Sequence, residues 1–156
     1  MMKYLFSILP LLLITTAALQ AEEKHQGPEA IEVRIETGTR DGELKFVPDN
    51  LGFERGKYYK LVIHNPSNDD HYFTSEGLAT HVFTRKVEVS GTDHKTIAEI
   101  HGAVNDIELK PGTTVEWYFY PMTNGKNMKL YCHKEGHEEQ GMTGQVEISG
   151  PPPFTK

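Results

Sequence analysis

The sequence has a single cysteine and no excess of basic residues. With only Cys132 among 156 residues, the chain cannot form an internal disulfide. A lone thiol is therefore intermolecular, incidental or a metal ligand. The 16 Lys and Arg residues against 22 Asp and Glu give a formal net charge of -6. This charge disfavours nucleic acid and anionic membrane surfaces as partners, and a basic partner, or none, fits better.

The sequence also lacks an apolar run long enough to span a membrane. The apolar run at the N-terminus, Leu5–Leu13, is shorter than the roughly 20 apolar residues that a membrane span needs. It follows Lys3 and precedes small residues, which is the layout of a secretory signal peptide. Cleavage after Ala21 is the first choice and cleavage after Ala18 the second. A retained N-terminal anchor is the alternative, and the lack of a cysteine near the cleavage region disfavours a lipid anchor.

The remaining chain has the size of one domain. Residues 1–21 form the predicted signal peptide and residues 22–30 a polar, disordered leader. Residues 31–150 form the predicted domain, and residues 151–156 an extended, Pro-rich tail. After signal removal we expect no membrane insertion.

Short apolar or alternating runs follow one another along the domain, separated by Gly, Pro and Asn turns. They predict strands at Ile31–Ile35, Leu44–Val47, Tyr58–His64, Val82–Val89, Ile107–Leu109, Thr114–Tyr120, Met128–Cys132 and Gly144–Ile148. Residues 74–80 could form a short helix, and residues 90–106 are a polar insertion with no clear pattern. This arrangement indicates an all-β sandwich or barrel.

One loop between two predicted strands concentrates metal ligands. Cys132, His137 and Met142 follow the spacing C-x4-H-x4-M. Soft sulfur together with imidazole selects copper, and a Cys/His/His site with a weak axial Met is the blue-copper electron-transfer site. A second histidine must therefore come from elsewhere. His71 is the best candidate because it sits in a loop just past the strong strand Tyr58–His64 and is followed by two aromatic residues, whereas His64 lies within that strand.

These residues resemble those of the cupredoxins, small Greek-key β-sandwiches that hold one type 1 copper. In that family the first His ligand follows a strand and an Asn-containing loop, as Asn65 to His71 do here, and the Cys, His and Met ligands share a later loop. The resemblance covers Ile31 to Ile148. It implies a monomeric one-electron carrier, not an enzyme, with copper held by His71, Cys132, His137 and Met142.

The same loop is similar to the type 1 loop of multicopper oxidases, because His133 directly follows Cys132. Those enzymes carry a His on each side of the Cys, and Tyr131 precedes the Cys here. The chain also has no His-x-His pair and only one predicted domain, so we reject an oxidase. A binuclear copper site needs two cysteines and is rejected too.

The family pattern implies roles for residues around the metal. A backbone amide near Tyr72 or Asn65 is expected to hydrogen-bond the sulfur, and Phe73 and Tyr131 are expected to pack nearby. His137 would be the partly exposed electron port. Its charged neighbours are Lys134, Glu135, Glu138 and Glu139. They suggest a redox partner with a basic docking surface and salt-sensitive binding.

Within the family, residues 71–75 and the polar insertion resemble periplasmic copper-tolerance cupredoxins, which are often green rather than blue. The alternative function is therefore copper tolerance, by binding or oxidising periplasmic copper. His81, His94 and His101 could form an extra surface copper site, although solvated surface histidines are the simpler interpretation. A structural zinc site or a metal-free sandwich is a third class, but zinc does not favour the Met.

Overall fold

A computed structural model describes residues 28–91 and 95–151. The predicted signal peptide, most of the leader, His94 and most of the C-terminal tail lie outside these ranges. Within them, no helix has the length and apolar character needed to cross a bilayer.

Two β-sheets make up the domain. The larger has six strands, in the spatial order β2 (Phe46–Val47), β1 (Ile31–Thr37), β4 (Tyr59–His64), β9 (Thr114–Pro121), β6 (Val82–Ser90) and β7 (Thr96–Ile100). The smaller has five, in the order β3 (Asn50–Glu54), β11 (Thr143–Ser149), β10 (Gly125–Tyr131), β5 (His71–Thr74) and β8 (Asp106–Leu109). The predicted all-β sandwich is confirmed, and the copper-ligand candidates lie on the five-stranded sheet and its loops.

Both sheets contribute to one hydrophobic core. Strand β9 alternates strictly, so that Val115, Trp117 and Phe119 are buried while the residues between them are half-buried. From the other sheet, Phe73 and Leu130 join the same core cluster. Trp117 is 1% exposed and its indole N–H donates to Thr84 Oγ1 at 3.0 Å, so it is a core residue.

The expected short helix, α1, spans Glu76–His81. Ser75 caps its N-terminus, accepting a hydrogen bond from the Leu78 amide at 3.4 Å. The Ser75 hydroxyl also donates to the carbonyl of Lys129 at 2.8 Å. The cap therefore ties α1 to strand β10, which leads directly to Cys132.

Three strands were not predicted as strands. Residues His71–Thr74 form β5, although the sequence suggested that His71 lies in a loop. Strand β3 was missed because it is short and begins at a turn-forming Asn, and it pairs in parallel with the distant β11. Strand β7 lies at the edge of its sheet with every residue exposed, so it has no alternation of burial that a pattern could reveal.

Candidate metal centre

Two loops at one end of the sandwich bring the candidate ligands together. Residues 65–70 connect β4 to β5 and place His71 at the start of β5. Residues 132–142 connect β10 to β11 and contain Cys132, His137 and Met142. Antiparallel β5 and β10 are neighbours, with Thr74 paired to Tyr131, so the two loops meet at the same edge.

Asn65 holds the first loop in shape from the inside. The side chain is fully buried, and its amide N–H groups donate to the carbonyls of Asp69 at 2.7 Å and Leu109 at 2.8 Å. Its carbonyl oxygen accepts from both the amide and the hydroxyl of Ser67, at 3.0 and 2.8 Å. Asn65 therefore fixes the turn before His71 and joins it to strand β8.

The second loop closes on itself through its backbone. The Met142 amide donates to the carbonyl of His137 at 2.9 Å, and the Met142 carbonyl accepts from the Cys132 amide at 3.2 Å. The His137 amide donates to the carbonyl of Lys134 at 3.0 Å. The Met142 backbone is thus bonded to the other two candidate ligands of its loop, and its side chain is 0% exposed.

The side chains of His71, Cys132 and His137 converge on one buried point. One ligand atom from each lies within 4.8 Å of the others, and the residues are 1%, 0% and 6% exposed. The Cys132 sulfur lies 3.4 Å from His137 Nδ1, and the two imidazole centroids are 5.1 Å apart. In the described part of the chain this is the only such cluster of three or more His, Cys, Asp or Glu side chains.

An unpaired nitrogen shows which atom of His71 faces the cluster. His71 Nδ1 is buried and has no hydrogen-bond partner, which is rare for a buried polar atom. The opposite nitrogen, Nε2, lies against the backbone of Gly38, where an added Cβ would come within 2.5 Å of it. His71 is therefore oriented to offer Nδ1 to a metal.

The electrostatic environment favours neutral imidazoles, the form that ligates a metal. Burial lowers the pKa of His71, and the nearby His137 lowers it further. Burial also lowers the pKa of His137, with Lys134 adding to the effect. Two neutral imidazoles and one thiol on rigid loops are the donor set of type 1 copper. These residues fit the metal that the sequence predicts.

The sulfur has one hydrogen bond from the protein backbone. Of the two amide regions expected to provide it, the structure identifies Tyr72, whose N–H donates to Cys132 Sγ at 3.3 Å. Contacts of this kind around a ligand tune a metal centre. Phe73, the next residue, is 1% exposed and packs edge-on against Phe46, with ring centroids 6.3 Å apart.

Tyr131 and His137 differ from what the resemblance implied. Tyr131 lies on the outer face of β10, because side chains alternate along the strand and Leu130 and Cys132 point inward. Its hydroxyl donates to Glu76 Oε1 at 2.7 Å, which raises the pKa of Tyr131 to about 12. His137 is only 6% exposed rather than partly exposed, because its loop folds back on itself.

The other histidines of residues 28–91 and 95–151 lie outside the cluster. His64 bonds through Nδ1 to the Thr113 carbonyl and the Thr114 hydroxyl, at 3.1 and 3.0 Å. His81 Nδ1 lies 2.7 Å from the carbonyl of Gly77. His101 is well exposed, and its Nε2 lies 2.8 Å from a carboxylate oxygen of Glu99.

The structure does not bring His81 and His101 together. Ile100 on β7 pairs with Val87 on β6, so His101 lies near the middle of β6, whereas His81 precedes the first residue of that strand. The third histidine of the hypothetical surface site, His94, lies outside the described residues.

Two residues at the site had no clear signal in the sequence. Gly38 belongs to a turn cluster far from the ligands in sequence, and only its backbone contact reveals its role. His133 was noticed as a resemblance to oxidase loops, but its contacts with Tyr72 and Asp106 could not be predicted. Finding the contacts of His133 would have required knowing that β5 pairs with β8.

Comparison with known proteins finds that the chain is similar to a plastocyanin. It is 29% identical over 117 residues to plastocyanin from Sambucus nigra, which covers 75% of this chain and 100% of that protein. No protein-family model matches the chain.

Solved structures with the same fold include larger proteins. A multicopper oxidase from Campylobacter jejuni matches with a TM-score of 0.56 and 17% identity, over 81% of this chain and 31% of that one. A multicopper oxidase from Pediococcus acidilactici matches with a TM-score of 0.56 and 18% identity, over 99% of this chain and 32% of that one. The chain therefore spans about a third of each oxidase, and at these identities the likeness concerns the fold alone.

Proposed function

We propose that this chain is a cupredoxin, a mononuclear type 1 copper protein that transfers single electrons, because His71, Cys132 and His137 converge on one buried point. The observation that carries the proposal is the cluster itself, with the unpaired Nδ1 of His71 facing it. When bound, the copper supplies a one-electron Cu(II)/Cu(I) couple. The protein acts as a carrier and performs no substrate chemistry of its own.

The residues around the cluster hold the ligands in place. Asn65 fixes the loop before His71, and the backbone of Met142 fixes the loop of Cys132 and His137. The Tyr72 amide stabilises negative charge on the Cys132 sulfur. Met142 is fully buried and its backbone is hydrogen-bonded to Cys132 and His137, so its thioether would be the fourth group to hold the copper. Rigid ligands suit electron transfer because they need little rearrangement between the two oxidation states.

The proposal also covers the cellular location of the protein, its redox partner and its oligomeric state. The signal-like N-terminus supports export to the periplasm with cleavage near Ala21. The negative net charge supports a redox partner with a basic docking surface. We propose that the protein works as a monomer, with residues 31–150 as its single copper domain.

The test is spectroscopic. Addition of Cu(II) to the purified protein is expected to produce strong visible absorption and the electron paramagnetic resonance signal of a type 1 or green copper site. Cys132→Ser should abolish the visible band, whereas Ser67→Ala, a change on the other ligand loop, should keep it. A copper-loaded protein that stays colourless would disprove the type 1 assignment and leave zinc binding or a metal-free role.

Copper tolerance is the second candidate function. It is favoured by the resemblance of residues 71–75 and of the polar insertion to copper-tolerance cupredoxins, and by the well-exposed imidazole of His101. This function predicts more than one copper per chain. Titration of the apo-protein should then show extra equivalents that disappear when His81, His94 and His101 are replaced by Ala. A single equivalent in both proteins would contradict the second site.

A further inference from the structure

We propose that the end of the sandwich opposite the metal centre binds an anionic membrane surface. Five short segments form this basal end: residues 28–31, 54–58, 81–85, 121–126 and 149–151. Binding is peripheral, with side chains that contact the lipid head groups and the outer part of the acyl chains. The inference goes beyond the proposed electron transfer, and it does not depend on bound copper.

Hydrogen bonds between strand ends join these segments. The Gly56 amide donates to the carbonyl of Pro121 at 2.9 Å, and the Met122 amide donates to the carbonyl of His81 at 2.8 Å. The His81 ring lies beside Gly125, where an added Cβ would come within 3.1 Å of it. The turn before β4 and the ends of β6, β9 and β10 therefore form one continuous surface.

Large apolar side chains are exposed on this surface. Phe83 is 56% exposed and Met122 is 55% exposed. Phe83 pairs with Tyr120 across β6 and β9, which makes Met122, two residues further along, its diagonal neighbour on the same face. The ring of Tyr120 is stacked on that of Tyr58, with centroids 4.7 Å apart. Exposed apolar side chains that are grouped in this way mark an interaction surface.

The basal end also carries cations without an anionic partner. Among residues 28–91 and 95–151, four basal cations form no ion pair with a carboxylate: Arg55, Lys57, Arg85 and Lys126. Elsewhere on the domain, Lys60, Lys86 and Lys110 are each shared by two carboxylates. An unpaired cation attracts an anionic surface without first breaking an ion pair.

The uneven distribution of charge allows an acidic protein to bind an anionic surface at one end. The net charge of -6 disfavours such a surface on average, but the basal segments contain only two carboxylates, Glu29 and Glu54, against the four cations. Strand β9 spans eight residues from the metal-centre end to the basal end, which is about 25 Å. Because charges are screened over about 10 Å in salt solution, the acids near the metal centre act weakly on a surface that touches the basal end.

The combination of apolar and cationic side chains fits a bilayer surface better than an acidic protein. The cations can reach the head-group phosphates while Phe83 and Met122 enter the boundary of the acyl chains. Strand β1 begins at this end, where the Ile31 amide donates to the carbonyl of Tyr58 at 2.8 Å. The segment between the domain and the predicted signal peptide therefore leaves from the basal end. With this end on the bilayer, the metal centre faces away from the lipid, toward soluble partners.

Binding to lipid vesicles tests the inference. The exported protein, freed of its signal peptide, is mixed with vesicles of phosphatidylcholine alone or of phosphatidylcholine with about 30% phosphatidylglycerol, an anionic lipid, and bound protein is separated by sedimentation. We expect partitioning at least about tenfold stronger onto the anionic vesicles at low salt, and loss of this difference at about 0.5 M salt. The result should be the same with and without copper. Equal partitioning onto both kinds of vesicle, or none onto either, would overturn the inference and leave the visible copper band unaffected.

Charge variants identify the end that binds. Lys57→Gln, Arg85→Gln and Lys126→Gln should each weaken partitioning onto the anionic vesicles about fivefold. Arg40→Gln is the matched control, because Arg40 is also exposed and unpaired within the described part of the chain but lines a cavity beside His71, at the other end. It should change partitioning less than about twofold. An equal loss in Arg40→Gln and Arg85→Gln would show attraction without a preferred orientation and would overturn the basal site.

Variants of Phe83 distinguish lipid from an acidic protein as the partner. Phe83→Ser keeps every charge and should weaken partitioning more than about threefold, because an apolar side chain no longer enters the lipid. Phe83→Trp places an indole at the basal end, and brominated acyl chains should quench its fluorescence but not that of Trp117, which is 1% exposed. Full binding by Phe83→Ser, or an unquenched indole in bound Phe83→Trp, would show recognition by charge alone, as by an acidic protein, and would overturn the lipid assignment.

Discussion

The imidazole of His71 lies directly against the backbone of Gly38. A Cβ atom at Gly38 would come within 2.5 Å of His71 Nε2 and 3.2 Å of the Ser67 Cβ. Because Nε2 lies on the Gly38 side of the ring, we infer that the buried and unpaired Nδ1 is the nitrogen that faces Cys132 and His137. Gly38 therefore sets the orientation of a ligand from a turn more than 30 residues away in sequence.

The first prediction concerns that contact. Gly38→Ala should lower copper affinity and distort the visible spectrum, because the added methyl group must push His71 away. Gly42→Ala is the matched control: both glycines have positive φ, +76 and +85, but a Cβ at Gly42 meets nothing within 4 Å. Each change should cost about 1–2 kcal/mol of unfolding free energy from backbone strain. Equal copper affinity in the two variants, measured by competition titration, would contradict the role of Gly38.

The second prediction concerns Asn65. Asn65→Ala removes four hydrogen bonds, three within the loop before His71 and one to Leu109 on β8, and leaves buried partners unpaired. We expect a loss of about 3 kcal/mol in unfolding free energy, measured by denaturant titration. Asn68→Ala, an exposed change in the same loop, should stay within about 0.5 kcal/mol of the unmodified protein. Similar losses in both variants would show that Asn65 does not organise the loop.

The third prediction concerns Met142. Met142→Leu should keep the intense visible band but raise the reduction potential, because a thioether donor to Cu(II) is lost. Met128→Leu removes a thioether elsewhere on the same sheet, where Met128 packs against Gly77 and Gly125, and should leave the potential near its original value. Voltammetry distinguishes the two. A lower potential in Met142→Leu would show that Met142 is not the axial ligand.

The fourth prediction concerns removal of the metal. The apo-protein should remain folded, because its ligand loops are held by backbone and Asn65 hydrogen bonds and its core lies between the sheets. Copper should then add stability by mass action, about 4 kcal/mol when free metal is 1,000 times the Kd. Thermal unfolding followed by circular dichroism measures this gain, which should shrink in Cys132→Ser. An unfolded apo-protein would contradict the expectation.

The sequence predicted the longer strands and missed strands that are short or fully exposed. Strand β9 spans eight residues and buries every second one, and its pattern is visible in the sequence. Strand β7 is exposed throughout, and β3 alternates in burial but spans only five residues, of which Leu51 and Phe53 are buried. Edge position and pairing with a distant strand decide such segments, and a single sequence shows neither.

The candidate metal centre, like the fold, was predicted only in part from the sequence. Cys132, His137 and Met142 share one loop, so their spacing alone suggested a ligand set. His71 lies far from that loop in sequence, and it was chosen because it comes shortly after the predicted strand Tyr58–His64. Gly38 and Asp106 act through contacts between elements that are far apart in sequence, and His137 is buried by backbone turns within its loop. Contacts of this kind depend on tertiary packing, which a single sequence does not reveal.

The position of β11 has a consequence for how the protein folds. This strand, the last in the chain, lies between β3 and β10, and its residues 145–149 pair with residues 50–54. Contacts between such distant segments slow folding, because a long loop must close before they form. A chain interrupted before Thr143 contains Cys132, His137 and Met142 but lacks the strand that anchors the end of their loop. Metal capture should therefore be a late event, following closure of the sheet rather than nucleating it.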